Sequence, residues 1–314
     1  MKVLITGGAG FIGSNVVDLL IKEGHSVVVV DNLSQGKKEN VHRGAVFYKC
    51  DILDIDKLSV IFSTEQPKVV IHNAAQIDVQ TSLKEPALDS EINIKGTINI
   101  LECCIKFGVK KIIYPSSAAV YGNPKYLPVD ENHQVEPISF YGISKHTPEH
   151  YIKTYAELYN IKYTIFRYAN VYGIRQDPKG EGGVVSIFID KLLNNKAPII
   201  FGDGNQTRDF VYVKNIAKAN LLALNSGDNQ ILNISTEKPV TVNELLKIME
   251  EIFNSNLEAI HENERGGDIR DSHLKNEKAR NLLNWKNEYS LVSGLSETCL
   301  YYKEIYEAEN EMHS

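Results

Sequence analysis

Tyr141 and Lys145 are four residues apart in Tyr141-Gly142-Ile143-Ser144-Lys145. On a helix this spacing puts both side chains on one face. A free phenol has a pKa near ~10 and is a poor base at neutral pH. A nearby ammonium favours the phenolate, so the pair could take a proton from a hydroxyl while hydride leaves the same carbon. With 16 tyrosines in the chain, one such pair could equally be an ordinary surface pair. What sets this one apart is the preceding apolar run from Ile112 to Tyr114, which ends in Pro115-Ser116-Ser117. Ligands of open α/β sheets bind at the carboxyl ends of strands. Ser117 there could bond the reacting oxygen and relay its proton to Tyr141. Ser116 reads equally well as a turn residue.

A second constellation lies at the start. Gly7, Gly10 and Gly13 give a G-x-x-G-x-x-G turn between an apolar strand and an amphipathic helix. Missing Cβ atoms let backbone N–H groups approach a pyrophosphate, and the next helix turns its N-terminus toward the charge. Asp31 ends the second strand, 18 residues after Gly13. An acid there accepts from both ribose hydroxyls and repels a 2′-phosphate, which points to NAD. Lys37 and Lys38 lie close enough to keep NADP as the alternative. Asp51 either meets the adenine edge or caps the third strand.

These residues need a scaffold. Apolar runs at 2–6, 26–31, 46–50, 68–72, 111–115 and 161–168 read as strands, and the patterns near 11–23, 56–64, 86–107 and 141–160 as helices. Their alternation predicts βαβ units around a doubly wound parallel sheet, a Rossmann fold. Val27 to Val30 are apolar throughout, as a strand buried on both faces requires. The expected division is a dinucleotide domain of 1–170 plus about 211–235, and a smaller α/β domain of about 171–210 plus 236–314. The 314 residues suffice for a large core without disulfides or metals. The net charge of −6 argues against a protein that coats nucleic acid or anionic lipid. The N-terminal apolar run stops at the glycines, and no run reaches membrane-spanning length, so a cytoplasmic location is expected. Cys50, Cys103, Cys104 and Cys299 have no zinc-ligand spacing and read as core residues in a reducing compartment.

Taken together, these blocks resemble the extended short-chain dehydrogenases/reductases, and most closely the UDP-glucose 4-epimerases. The matching blocks are Thr6–Gly13, Asp31–Ser34, Cys50–Ile52, His72–Gln76, Ser82, Pro86, Asn93, Gly96–Thr97, Ser116–Gly122, Tyr141–Lys145, Arg167–Gly173, Phe201–Val213 and Arg265–Asp268. The resemblance implies that Phe11 and Ile12 line the pyrophosphate turn, that Asp31, Asn32, Leu33 and Ser34 hold the adenosine ribose, and that Asp51 and Ile52 meet the adenine. It implies that Ala74, Ala75, Asn93 and Ser116 border the cofactor, with Tyr168 against the nicotinamide. Ser117, Tyr141 and Lys145 become the catalytic trio. Asn170, Gly183, Val184, Arg208, Arg265 and Asp268 fall to the nucleotide sugar, the arginines on its diphosphate. No metal is implied, and a homodimer through helices 86–107 and 141–160 is.

The resemblance also sorts the alternatives. Dehydratases and decarboxylases on this scaffold carry acids where this chain reads Ala118-Ala119-Val120-Tyr121-Gly122. Without an acid, oxidation and re-reduction at one carbon remain, which is epimerisation. A UDP-glucuronate 4-epimerase is the nearest rival, and a non-catalytic NAD sensor the rival of another class. Seven residues after Arg265 stands Ser272, small where enzymes confined to plain UDP-hexoses carry tyrosine. That leaves room for an acetamido group at C2, so N-acetylated UDP-hexoses are expected as substrates too. Pro148 falls inside the 141–160 helix, where a kink after the catalytic turn is expected.

Overall fold

Uninterrupted runs of valine and isoleucine form the centre of one parallel sheet in the computed structural model, which describes residues 1–178, 183–264 and 269–313. The first half of the chain alternates as β1 (Lys2–Thr6), α1 (Phe11–Lys22), β2 (Ser26–Asp31), β3 (Val46–Lys49), α2 (Ile55–Glu65) and β4 (Val69–His72). There follow α3 (Val79–Lys84), α4 (Pro86–Ser90), α5 (Gly96–Lys106), β5 (Lys111–Ser117), α6 (Phe140–Tyr159) and β6 (Lys162–Tyr168). Neighbouring side chains along each strand enter opposite layers. Leu4, Val70 and Ile112 pack with Leu58, Phe62, Ile100 and Ile152, while Ile5, Ile71 and Ile113 pack with Val16, Leu20 and Ile216. Burying each of these side chains contributes about 1.5–3 kcal/mol.

The strand order is β3-β2-β1-β4-β5-β6-β10, every pairing parallel, with β10 (Gln230–Ile234) on the β6 edge. The chain winds outward from β1 in one direction and from β4 in the other. The carboxyl ends of β1 and β4 therefore flank a switch point, where loops diverge and leave a crevice.

The rest of the chain adds β7 (Asn170–Tyr172), α7 (Val184–Leu193), β8 (Ile199–Phe201), β9 (Thr207–Tyr212), α8 (Val213–Ala223), β11 (Pro239–Thr241), α9 (Val242–Phe253), β12 (Ile260–Glu262), β13 (Asp271–Ser272), α10 (Glu277–Leu283) and α11 (Leu291–His313). β9 pairs with β7, β11 and β13, and its Phe210 and Tyr212 join Phe188, Ile189, Leu245, Met249 and Leu295 in a separate core. Among the described residues, no helix is long and apolar enough to cross a membrane.

One helix differs from expectation. The single helix read at 86–107 is α4, a π-helical turn at Glu91–Lys95, and α5. A π turn inserts one residue into the helical ladder and commonly marks a functional position. Here it carries Asn93 inward, where its carboxamide bonds Gln76 and Ser144. α6 continues through Pro148 as one helix.

Candidate active site

At the switch point the glycines hold the chain where no side chain fits. A Cβ on Gly13 would lie 2.1 Å from the Gly7 carbonyl oxygen, and Gly7 itself has φ +67°. The turn delivers the chain to α1, whose N-cap Gly10 makes no side-chain cap bond. The first N–H groups of α1 are thus left to an outside acceptor, and a dinucleotide diphosphate fits this cradle. Phe11 is buried and Ile12 half-buried at its entrance.

Asp31 is buried at the end of β2, where Oδ2 accepts the N–H of Ala9 at 3.0 Å and Oδ1 that of Leu33 at 2.8 Å. Each oxygen retains a lone pair for a hydroxyl. Asn32 donates to Asp51 Oδ2 at 2.8 Å and accepts the N–H of Ser34 at 2.9 Å, while Asp51 Oδ1 accepts the N–H of Leu53 at 2.9 Å. The ends of β2 and β3 are therefore tied together by Asp51, beside the buried Ile52. Leu33 sits at φ +63°, which lets the chain turn back beneath Asp31.

The end of β4 is joined to the glycine turn by an ordered chain of hydrogen bonds. Thr6 Oγ1 accepts the N–H of Ala74 at 3.2 Å and lies 2.7 Å from His72 Nδ1. Thr97 donates to the Asn93 carbonyl at 2.6 Å, so its oxygen accepts from His72 Nε2 at 3.1 Å. His72 is thereby fixed as the neutral Nε2–H tautomer. Burial, and then the charge of Lys145, push its pKa down to about 3. Asn93 Nδ2 reaches Ser144 Oγ at 2.9 Å, which carries the network to α6. The half-buried Ala74 and Ala75 line the loop that follows β4.

Tyr141 and Lys145 share one face of the first turns of α6, capped by Ser139, whose side chain accepts the N–H of Gly142. Gly142 lets the helix approach the turn after β5, since a Cβ there would lie 2.8 Å from the Ala119 carbonyl oxygen. That approach brings the first turn of α6 up to the turn after β5, where Ser117 Oγ accepts the N–H of Ala119 at 3.1 Å. The N–H of Tyr141 donates to Ser82 Oγ at 3.1 Å. Lys145 is 3% exposed, with Nζ 4.5 Å from the centre of the Tyr114 ring. Burial pulls its ammonium down to about 7, against the raising influence of Glu149 and then Asp89. A buried amine of that pKa, on the helix face that carries Tyr141, can exchange a proton near neutrality.

Other expected site residues are distributed as follows. Ser116 turns away from Ser117 and donates to the buried Glu149 at 2.6 Å. Tyr168 is buried at the end of β6, its ring stacked on Phe166 and its hydroxyl accepting from Asn220 at 2.8 Å. Asn170 is exposed at the start of β7, Gly183 caps α7, and Val184 begins it. Arg208 lies on β9, where it donates to the carbonyls of Thr207 at 2.8 Å and Arg270 at 3.0 Å. Ser272 is its register partner on β13, a proximity that no sequence pattern gives. Arg265 and Asp268 lie outside the described residues. Sequence reasoning gave no role to Glu149 and Arg167, which form a buried two-pronged ion pair beneath Lys145. The available signal was spacing, because Glu149 lies four residues after Lys145 and eight after Tyr141, on the same helix face.

The fold and this site have known counterparts. The model of the NAD dependent epimerase/dehydratase family matches residues 3–235. A Methanocaldococcus jannaschii protein provisionally named UDP-glucose 4-epimerase is 52% identical over 302 residues, 96% of this chain and 98% of its own. The crystal structure of UDP-glucose 4-epimerase from Thermotoga maritima with UDP-glucose superposes with a TM-score of 0.95 at 48% identity, over 97% of this chain and 99% of that one. The UDP-N-acetylglucosamine 4-epimerase of Methanobrevibacter ruminantium, in complex with UDP-N-acetylmuramic acid, does so with a TM-score of 0.92 at 36% identity, over 97% and 98%.

Proposed function

The chain belongs to the NAD-dependent epimerase/dehydratase family, and from that premise we propose that it is a UDP-hexose 4-epimerase. It interconverts UDP-glucose with UDP-galactose, and UDP-N-acetylglucosamine with UDP-N-acetylgalactosamine. The observation that carries the reading is Lys145, buried on the helix face it shares with Tyr141 and beside a strand end that holds Ser117 and no acid.

NAD, when bound, supplies an acceptor for one hydride and then returns it. Gly7, Gly10, Phe11, Ile12 and Gly13 hold its diphosphate, and Asp31 to Ser34 with Asp51 and Ile52 hold its adenosine. Ala74, Ala75, Asn93, Ser116 and Tyr168 shape the nicotinamide side. Asn93 and Ser116 act from beneath, through the bonds that fix the loop after β4 and the face of α6. Tyr141 takes the proton of the sugar 4′-hydroxyl, with Ser117 bonded to the same oxygen. Lys145 stabilises the phenolate by charge. The 4-keto sugar turns over, and Tyr141 returns the proton to the other epimer.

Arg208, Arg265, Asp268, Asn170, Gly183 and Val184 grip the nucleotide, and Ser272 faces the sugar at C2. Arginine suits the diphosphate because its planar fork makes paired charge-assisted bonds. The 1–170 and 211–235 segments form the dinucleotide half, and 171–210 with 236–314 the sugar half. Phe140, Ile143, Tyr151 and Leu158 form an exposed apolar stripe at helical spacing on α6, which suits pairing with a second copy. Four free buried cysteines suit a cytoplasmic enzyme.

The test is product analysis by NMR after incubating the protein and NAD with UDP-glucose, UDP-N-acetylglucosamine or UDP-glucuronate. Formation of both galacto epimers is expected. Turnover of UDP-glucuronate alone, or bound NAD with no turnover, would overturn the reading. Light scattering at micromolar concentration tests the dimer.

A further inference from the structure

We propose that the buried Glu149–Arg167 pair is a positioning element for the reaction: it fixes the catalytic face of α6 against β5 and holds a carboxylate one helical turn beyond Lys145 on the same face. The proposal rests on the 4-epimerase reading for its consequence in turnover, but not for its effect on the Tyr141 phenol.

The geometry is that of a staple between three elements. Arg167 on β6 donates from Nε to Glu149 Oε1 at 3.0 Å and from its terminal nitrogen to Oε2 at 2.6 Å. Ser116 on β5 donates to Oε1 at 2.6 Å. The Arg167 guanidinium lies 4.8 Å from the centre of the Tyr121 ring, and Tyr121 donates to Asn233 on β10 at 2.7 Å. Glu149 is fully buried, and so is Arg167 but for 3%. A buried ion pair is weak evidence of stability, because its desolvation offsets most of its attraction. Its place is better explained by what it adjoins.

The charges around Glu149 come from every packed element. Lys145 and His146 share its helix, with His146 Nε2 4.0 Å from Oε2. Tyr114 and Ser116 face it from β5, and Arg167 and Tyr163 from β6. Asp89, on α4, is the other carboxylate acting on Lys145. Burial alone would discharge Lys145, and Glu149 is the larger of the two opposing influences. Without that carboxylate Lys145 releases its proton more readily. A neutral Lys145 no longer favours the Tyr141 phenolate, so the phenol ionises at higher pH.

The experiment compares Glu149→Gln and the apolar double variant Glu149→Leu/Arg167→Met with the wild type. The double variant leaves no unpaired buried charge and keeps the test open if Glu149→Gln does not fold. Two readouts are taken. One is the pH profile of turnover. The other is the tyrosinate ultraviolet titration of each protein minus that of its Tyr141→Phe counterpart, which needs no substrate. In the folded variants the Tyr141 midpoint should rise by about one unit, with turnover at neutral pH about tenfold lower and restored at higher pH. A wild-type midpoint in both variants, or in the double variant alone, would overturn the proposal. An inactive wild type with the midpoint shift intact would instead overturn the 4-epimerase reading.

Discussion

Ser116 and Ser117 are chain neighbours that project from opposite faces of β5: Ser116 donates to Glu149 at 2.6 Å, while Ser117 accepts the N–H of Ala119 at 3.1 Å. The strand's alternation thus assigns one hydroxyl to the interior and one to the crevice. Ser116→Ala should lower stability by about 1.5–3 kcal/mol, because a buried carboxylate loses a donor. Ser117→Ala should leave stability nearly unchanged and lower turnover about a hundredfold. Urea unfolding and steady-state kinetics on both variants check the contrast. Equal kinetic losses would contradict it.

Tyr141→Phe removes only the phenolic oxygen and keeps the backbone N–H bond to Ser82 Oγ. The variant should fold and bind NAD as the wild type does, with turnover lower by about 10²–10⁴-fold. Isothermal calorimetry with NAD and an epimerisation assay together measure this. Turnover within about threefold of the wild type would remove Tyr141 from its assigned role.

His72 links stability to acid. Its pKa falls from 6.5 to about 3 on folding, chiefly through burial. Below 6.5 the unfolded chain therefore binds a proton that the folded protein does not. The contribution is intact above that pH and is lost progressively as the pH falls toward about 3. At roughly pH 5 the loss is about 2 kcal/mol. Denaturant melts at a series of pH values should show a shallower acid slope for His72→Gln than for the wild type. Identical slopes would mean that His72 charges within the fold.

Ser272 is the register partner of Arg208 across β13 and β9. Ser272→Tyr adds a phenol ring beside the proposed sugar subsite. Selective loss of the N-acetylated UDP-hexoses, with plain UDP-hexoses retained, is the expected result of a side-by-side assay. The discrimination should reach about 10–200-fold, the range for a filled pocket. An equal effect on both pairs would leave Ser272 without a part in specificity.

Much of this protein was legible in its sequence because the relevant signals are local. The apolar runs marked six of the seven strands of the central sheet to within two residues at each end, and missed β10 at its edge. The glycine spacing, Asp31 at a strand end, and Tyr141 four residues before Lys145 are patterns along one element, and the chain states them directly. What it could not state is which side chains meet across elements. The inward reach of Asn93 depends on a π turn that helical periodicity does not mark, so 86–107 read as one helix. The His72 tautomer follows from Thr97, which lies 25 residues away in the chain. Glu149 shares a helix face with the catalytic pair, but its burial, its fork to Arg167 and its bond to Ser116 exist only once β5, β6 and α6 pack. Local spacing determined which groups are present. Tertiary packing decided how each is charged and aimed, because desolvation and hydrogen-bond partners belong to the assembled core and not to any single segment.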